Sequence, residues 1–155
     1  MKFGYTAKRC ILSLLCAWLL AADAGKSAPS SVQIASDKSN YRQGEVVLVQ
    51  IKNDLASSIY ALSGQTYCTI VTVERFVNEQ WNAEGRCRVL GPPGWVEIAA
   101  SDTLSVKIKP ILPSDQILTP GRHRAKLTFN VGSRSGSTQT GFSSDFKINN
   151  NTLPQ

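Results

Sequence analysis

The sequence predicts an all-β protein, an antiparallel sandwich of seven or eight strands carrying one disulfide. Three observations predict it. Short runs rich in Val, Ile and Thr alternate apolar and polar residues with period two. Clusters of Gly, Pro, Asn and Ser interrupt those runs at close intervals. No segment beyond residue 31 sustains a helical period, and no internal repeat is visible.

Taken in order, Val32-Gln33-Ile34 makes a first short strand. Tyr41-Arg42-Gln43-Gly44-Glu45 is a turn feeding an apolar run from Val46 to Lys52, which stops at Asn53-Asp54. Ser58 to Leu62 is the next strand, closed by Ser63-Gly64, and a long one runs from Tyr67 to Phe76. Leu90-Gly91-Pro92-Pro93-Gly94 is a loop. Leu104, Val106 and Ile108 share one face of a strand whose other face carries Ser105, Lys107 and Lys109. From Arg122 to Val131, the residues His123, Ala125, Leu127, Phe129 and Val131 point inward, while Arg122, Arg124, Lys126, Thr128 and Asn130 point outward. Gly132 to Ser137 is a small-residue hairpin loop. The final strand is expected to face Phe142, Ser144, Phe146 and Ile148 inward.

The N-terminus reads differently. Lys2, Lys8 and Arg9 precede an apolar run from Cys10 to Ala22, and Ala22-Asp23-Ala24 is a small-x-small cleavage site. The run is 13 residues long, against about 20 needed to span a bilayer. Residues 1–24 are therefore expected to be a signal peptide, 25–30 a flexible leader, 31–149 the sandwich and 150–155 a tail. The expected location is periplasmic or secreted, with no membrane span in the mature chain. Of the 17 basic and 11 acidic residues, cleavage removes Lys2, Lys8, Arg9 and Asp23, leaving a mild excess of four positive charges. That falls short of a nucleic-acid footprint, so no nucleic acid is expected as a partner.

Cys10 and Cys16 leave with the signal, and the remaining pair, Cys68 and Cys87, is expected to oxidise in an exporting compartment. A hairpin centred between Val77 and Asn78 sets them opposite each other, within disulfide reach, and sets Glu74 opposite Trp81. The pair reads as a structural staple, since a redox role would favour Cys-x-x-Cys spacing.

Catalytic and metal-binding patterns are missing. His123 is the single histidine, on an inward face, and no carboxylate or thiol stands at an informative spacing from it. It is read as a core imidazole. There is no Gly-x-Ser-x-Gly elbow, no Ser-x-x-Lys and no phosphate loop, and two thiols cannot complete a zinc site. No catalytic residue, metal or cofactor is assigned, and the chain is expected not to be an enzyme. Candidate partner-binding residues are Trp81 with the turn residues Asn78 and Glu79, and Trp95 with Pro92 and Pro93. The tryptophans are either exposed anchors or core. Arg122, Arg124 and Lys126 form a possible basic surface, partly paired by Asp145; Lys107 and Lys109 are kept apart from it.

Tyr41 to Asn53 (YRQGEVVLVQIKN), Leu118 to Arg124 (LTPGRHR) and Ser143 to Ile148 (SSDFKI) resemble small bacterial immunoglobulin-like domains. Those domains carry a Tyr-x-x-Gly-Glu lead-in to their second strand, a Pro-Gly-x-Tyr-Arg turn before the penultimate strand, and a Ser-x-x-Phe-x-Val ending. The resemblance covers about residues 31–149 and implies an immunoglobulin-like fold while leaving function open. His123 stands where such domains often place a corner tyrosine, which implies that its ring takes over a bond to the backbone. Inhibitors of the chagasin type share the fold class, but their loop motifs are absent. The expected function is a non-catalytic module binding another protein through loops or a sheet edge. The alternative is an inhibitor or immunity-type protein that blocks a protease or cell-wall hydrolase with Asn78 to Glu84 or Leu90 to Trp95.

Overall fold

The computed structural model describes residues 31–63, 69–84, 93–108 and 118–150. The expected signal peptide and leader, the paired cysteines Cys68 and Cys87, Pro92, Lys109 and residues 151–155 lie outside them.

Among the described residues the chain is all β with no helix, and has eleven strands where seven or eight were expected, because short pieces such as β2 and β6 and the break between β10 and β11 add to the count. They are β1 (Val32–Ser36), β2 (Asn40–Arg42), β3 (Val47–Asn53), β4 (Ile59–Ser63), β5 (Val71–Val77), β6 (Gln80–Glu84), β7 (Gly94–Ile98), β8 (Thr103–Ile108), β9 (Gly121–Val131), β10 (Thr138–Phe142) and β11 (Phe146–Asn149). A small sheet has the order β1-β3-β8. A larger one is built on the long β9, which pairs with β11 and then β10 along one side, and with β5 and then β4 along the other. Strand β6 adds outside β5, β7 outside β4, and β2 outside β11 in the one parallel pairing among the described strands.

Both sheets bury alternate side chains in a common core. Val47, Val49 and Ile51 of β3 come from the small sheet; Ile59, Val73, Ile98, Leu127, Phe129, Phe146 and Ile148 come from the large one. The first extended segment serves both sheets, β1 on β3 and β2 on β11. Tyr41 anchors the crossing between them. Its ring is buried edge-on against Phe146 at 5.4 Å, its hydroxyl donates to Asp37 Oδ1 at 2.6 Å, and it accepts the Lys38 amide at 3.1 Å. Burial, and the bond to Asp37, push the phenol up to about 12. Tyr41 thus lies in a strand where a turn was expected; the turn itself is confined to Gln43-Gly44, with Gly44 at φ 84°.

Asn53 clamps the opposite end. Fully buried, its Nδ2 donates to the carbonyls of Ser57, Ile98 and Ala99 at 2.9–3.0 Å, and its Oδ1 accepts the Leu55 amide at 3.1 Å. One side chain thereby ties β3 to the chain end of β7, across the two sheets.

Two further expectations are corrected. The β5–β6 hairpin turns on Asn78-Glu79 alone, both left-handed at φ 51° and 62°, which fits a two-residue type I′ turn. Phe76 therefore faces Trp81, and Glu74 faces Ala83 rather than Trp81. The final strand also breaks in two: β9 pairs Phe142 with Lys126 but Phe146 with His123, one residue out of step. The extra residue is a bulge at Ser143–Asp145 that reverses the alternation. Ser143 is buried, bonded to Ala125 through its amide and hydroxyl, whereas Phe142 turns outward and is 45% exposed.

Candidate partner-binding face

The outward face of the large sheet gathers most of the residues singled out above. Alternation on β9 projects Arg122, Arg124 and Lys126 to solvent. Cross-strand pairing then sets Glu74 beside Arg124, Thr72 and Phe142 on either side of Lys126, and Trp81 beside Phe76. Further along, Leu62 faces Trp95 and Tyr60 faces Glu97 on the same side. Trp81 and Trp95 are thus neither loop residues nor core. Each sits half-buried on a strand of one open face. Asn78, Glu79 and Pro93 are exposed, the first two as the hairpin tip.

Arg124 organises the face. Its Nε and Nη2 both donate to Glu74 Oε2, at 2.8 and 2.7 Å, while Lys126 Nζ approaches Oε1 at 3.3 Å. With its charge so placed, the guanidinium lies 4.3 Å from the Trp81 ring centre and 3.9 Å from that of Phe142. Arg122 pairs with Asp145 and covers Phe76 and Trp81 at 4.9 and 5.4 Å. Phe76 and Trp81 themselves meet at 5.1 Å. Each cation–ring contact at such a site contributes about 0.5–1 kcal/mol. The chief consequence is order: two long arginine side chains are each held between a carboxylate and aromatic rings. Lys107 belongs to β8 in the other sheet and takes no part.

His123 lies beneath this face, with no exposed side-chain surface. Its Nδ1 meets the Gly121 carbonyl at 3.0 Å, the backbone bond implied for the corner position. Gly121 has φ +145°, and a Cβ there would come 3.1 Å from Arg75 Nε, so the turn that presents this carbonyl requires glycine. The other nitrogen, Nε2, meets Glu84 Oε2 at 2.5 Å. Glu84 also accepts from the Thr119 amide at 3.0 Å and from its hydroxyl. A carboxylate partner therefore exists, 39 residues away in sequence, where sequence spacing gave no means to nominate one. Burial pushes the Glu84 carboxyl up, but the bonds from His123 and Thr119 outweigh it and hold it below the usual carboxylate range. Both ring nitrogens thus face oxygen atoms. The ring stacks on Phe146 at 5.7 Å. The Gly121 carbonyl closes one ring nitrogen and the Glu84 carboxylate the other, leaving neither open to a substrate. A cavity of about 310 Å³ lies beyond Gly121 and Phe146, lined also by Ser39, Arg122, Asp145 and Lys147 and not by His123. Among the described residues no three His, Cys, Asp or Glu side chains are arranged to hold a metal, and no helix is long and apolar enough to cross a membrane.

No family model and no curated protein matches the chain. Solved structures similar to it include the alkylpurine DNA glycosylase AlkC of Pseudomonas fluorescens bound to DNA with an abasic-site analogue (TM-score 0.38, 11% identity, 79% of this chain and 31% of that one). A second is a chain from a structure of T-cell activation by the superantigen toxic shock syndrome toxin-1 (TM-score 0.36, 9% identity, 77% of this chain and 99% of that one). A third is the β-glucosidase of Listeria innocua in complex with gluconolactone (TM-score 0.29, 15% identity, 76% of this chain and 16% of that one). The chain spans under a third of the glycosylase chain and about a sixth of the glucosidase chain.

Proposed function

We propose that this chain is an exported, non-catalytic immunoglobulin-like sandwich, stapled by Cys68 and Cys87, that binds another protein through the outward face of its large sheet. The observation that carries the reading is the Trp81–Arg124–Phe142 stack, ordered by Glu74 yet open to solvent at Phe142. Ordered aromatic and arginine side chains are the groups that dominate binding energy at protein interfaces. Leu62, 48% exposed beside Trp95, extends the apolar part of the face. The two-residue Asn78-Glu79 tip, by contrast, offers an enzyme cleft little to hold.

The test is capture of partners from a periplasmic extract of the host by the immobilised protein. Arg124→Gln should weaken retention about tenfold or more while circular dichroism and thermal unfolding stay close to wild type. Retention equal to wild type would refute the assignment of this face. Recovery of a hydrolase that the protein inactivates would replace the binding module by the inhibitor reading.

A further inference from the structure

We infer that the cavity between Arg122 and Lys147 receives the carboxylate of an aspartate or glutamate on the partner protein. This rests on the reading of the outward face as the contact surface and names the group the partner brings to its rim.

The cavity lies where β2, β11 and β9 run side by side. Register sets Lys147 of β11 directly opposite Arg122 of β9 and, on its other side, beside Asn40 of β2. Alternation sends Lys147 outward between the buried Phe146 and Ile148, on the side that carries Arg122. Like charges directly opposite on antiparallel strands are destabilising, and one carboxylate stands against the two cations lining the cavity. That carboxylate is Asp145, whose Oδ2 is taken by both Nε and Nη2 of Arg122. Lys147 makes no ion pair among the described residues. Glu74 is engaged by Arg124 and Lys126. Arg42, the next cation along, lies beside Asn149 rather than on the cavity, and its amide donates to Glu45 Oε2 at 2.9 Å. The cavity is therefore left with a single positive charge in surplus.

Its wall carries donors as well as charge. Ser39 Oγ accepts from Asn40 Nδ2 at 3.1 Å, which leaves the hydroxyl hydrogen to donate. Asp145 engages Nε and Nη2 of Arg122, so Nη1 still donates. One surplus charge suits a carboxylate better than a phosphate ester, which brings about 1.5 to 2 negative charges at neutral pH. The cavity also adjoins the aromatic stack, because the Arg122 guanidinium that walls it covers Phe76 and Trp81. A protein seated on the stack thus carries a side chain to the cavity's mouth. Arg122 is 56% and Asp145 36% exposed, so a lone carboxylate binds weakly there. Attachment to a partner already seated raises its effective concentration.

The probe is N-acetylglutamate α-amide, which carries one carboxylate, titrated into the ¹⁵N-labelled protein at constant ionic strength, with N-acetylglutamine amide as the uncharged control. The amides of Ser39, Arg122 and Lys147 should shift saturably with the first and not with the second. Lys147→Gln should weaken that binding about tenfold, with the unfolding temperature unchanged or raised, because the like-charge opposition is gone. Asp145→Asn carries the opposite sign: it releases Arg122 and should tighten binding several-fold, which a merely structural pair does not do. Absence of a saturable shift, or an Asp145→Asn variant that binds no more tightly than wild type, would overturn the proposal. Inorganic phosphate binding more tightly than the glutamate probe would do so too, by making this a phosphate site. Capture of the partner separates the cavity from the face it adjoins. If Lys147→Gln retains the partner as wild type does while Arg124→Gln loses it, the cavity falls and the face stands. If Lys147→Gln alone loses the partner, the cavity stands and the stack falls.

Discussion

The Glu84–His123 contact shows how much one pair of side chains decides in the core. Glu84 ends an exposed hairpin strand, yet it turns inward, and its carboxylate closes the far side of the His123 ring. Because its folded titration point is depressed, the charged form contributes stability that is complete above the ordinary value near 4.5 and is lost as pH falls through the folded value. Glu84→Gln keeps the shape and removes the charge. It should lower the unfolding free energy at neutral pH by about 2 kcal/mol, the scale of a hydrogen bond to a charged group. The gap between variant and wild type should narrow below about pH 4.5, as read from urea unfolding midpoints. A gap constant from pH 7 to pH 3 would show that the carboxylate is only a packing element. No spacing rule connects residues this far apart, so the pair was illegible in the sequence; only the inward alternation of His123 was readable. The glycine at 121 was a trace of it, since a positive-φ turn before an inward histidine aims a carbonyl back at the ring.

Element by element, legibility followed the length of unbroken alternation. Strand β9 keeps period two over 11 residues, and its inward and outward sets are as expected. Strands β10 and β11 read as one strand in the sequence, because a one-residue bulge inverts the pattern while leaving composition unchanged; Phe142, one of the two rings of the candidate stack, is thereby expected on the wrong side. Strand β2 is three residues long, too short for its single alternation about Tyr41 to stand out. The hairpin register failed for a chemical reason. Two-residue type I′ turns favour Asn-Gly, and here glutamate occupies the second left-handed position at φ 62°. A left-handed L-residue costs about 1–2 kcal/mol, against roughly 0.5–1 kcal/mol for the added freedom of glycine in the unfolded chain. Glu79→Gly should therefore stabilise the protein by about 0.5 kcal/mol, visible as a higher urea midpoint with unchanged slope. A lower midpoint would mean that Glu79 makes a compensating contact in solution.

Across the whole molecule, the two sheets divide the work. The inward faces consume the aliphatic residues in one core, and Tyr41 and Asn53 tie the sheets together at opposite ends. On the proposed reading, the surface that meets a partner is an outward face whose positive charge is ordered but only partly neutralised. Such a face steers encounter electrostatically while its apolar groups hold the complex. Raising salt from about 0.1 to about 1 M shortens the Debye length from about 10 to about 3 Å. The association rate with the captured partner should fall several-fold over that range, and the dissociation rate should change less than about twofold, because Phe142 and Leu62 are insensitive to screening. The opposite variants separate the two contributions. Phe142→Ala should speed dissociation at every salt concentration, whereas Arg122→Gln should slow association and flatten its salt dependence. Surface plasmon resonance on both variants measures this directly, and an association rate indifferent to salt in the wild-type protein would show that the basic side chains serve only to brace the sheet.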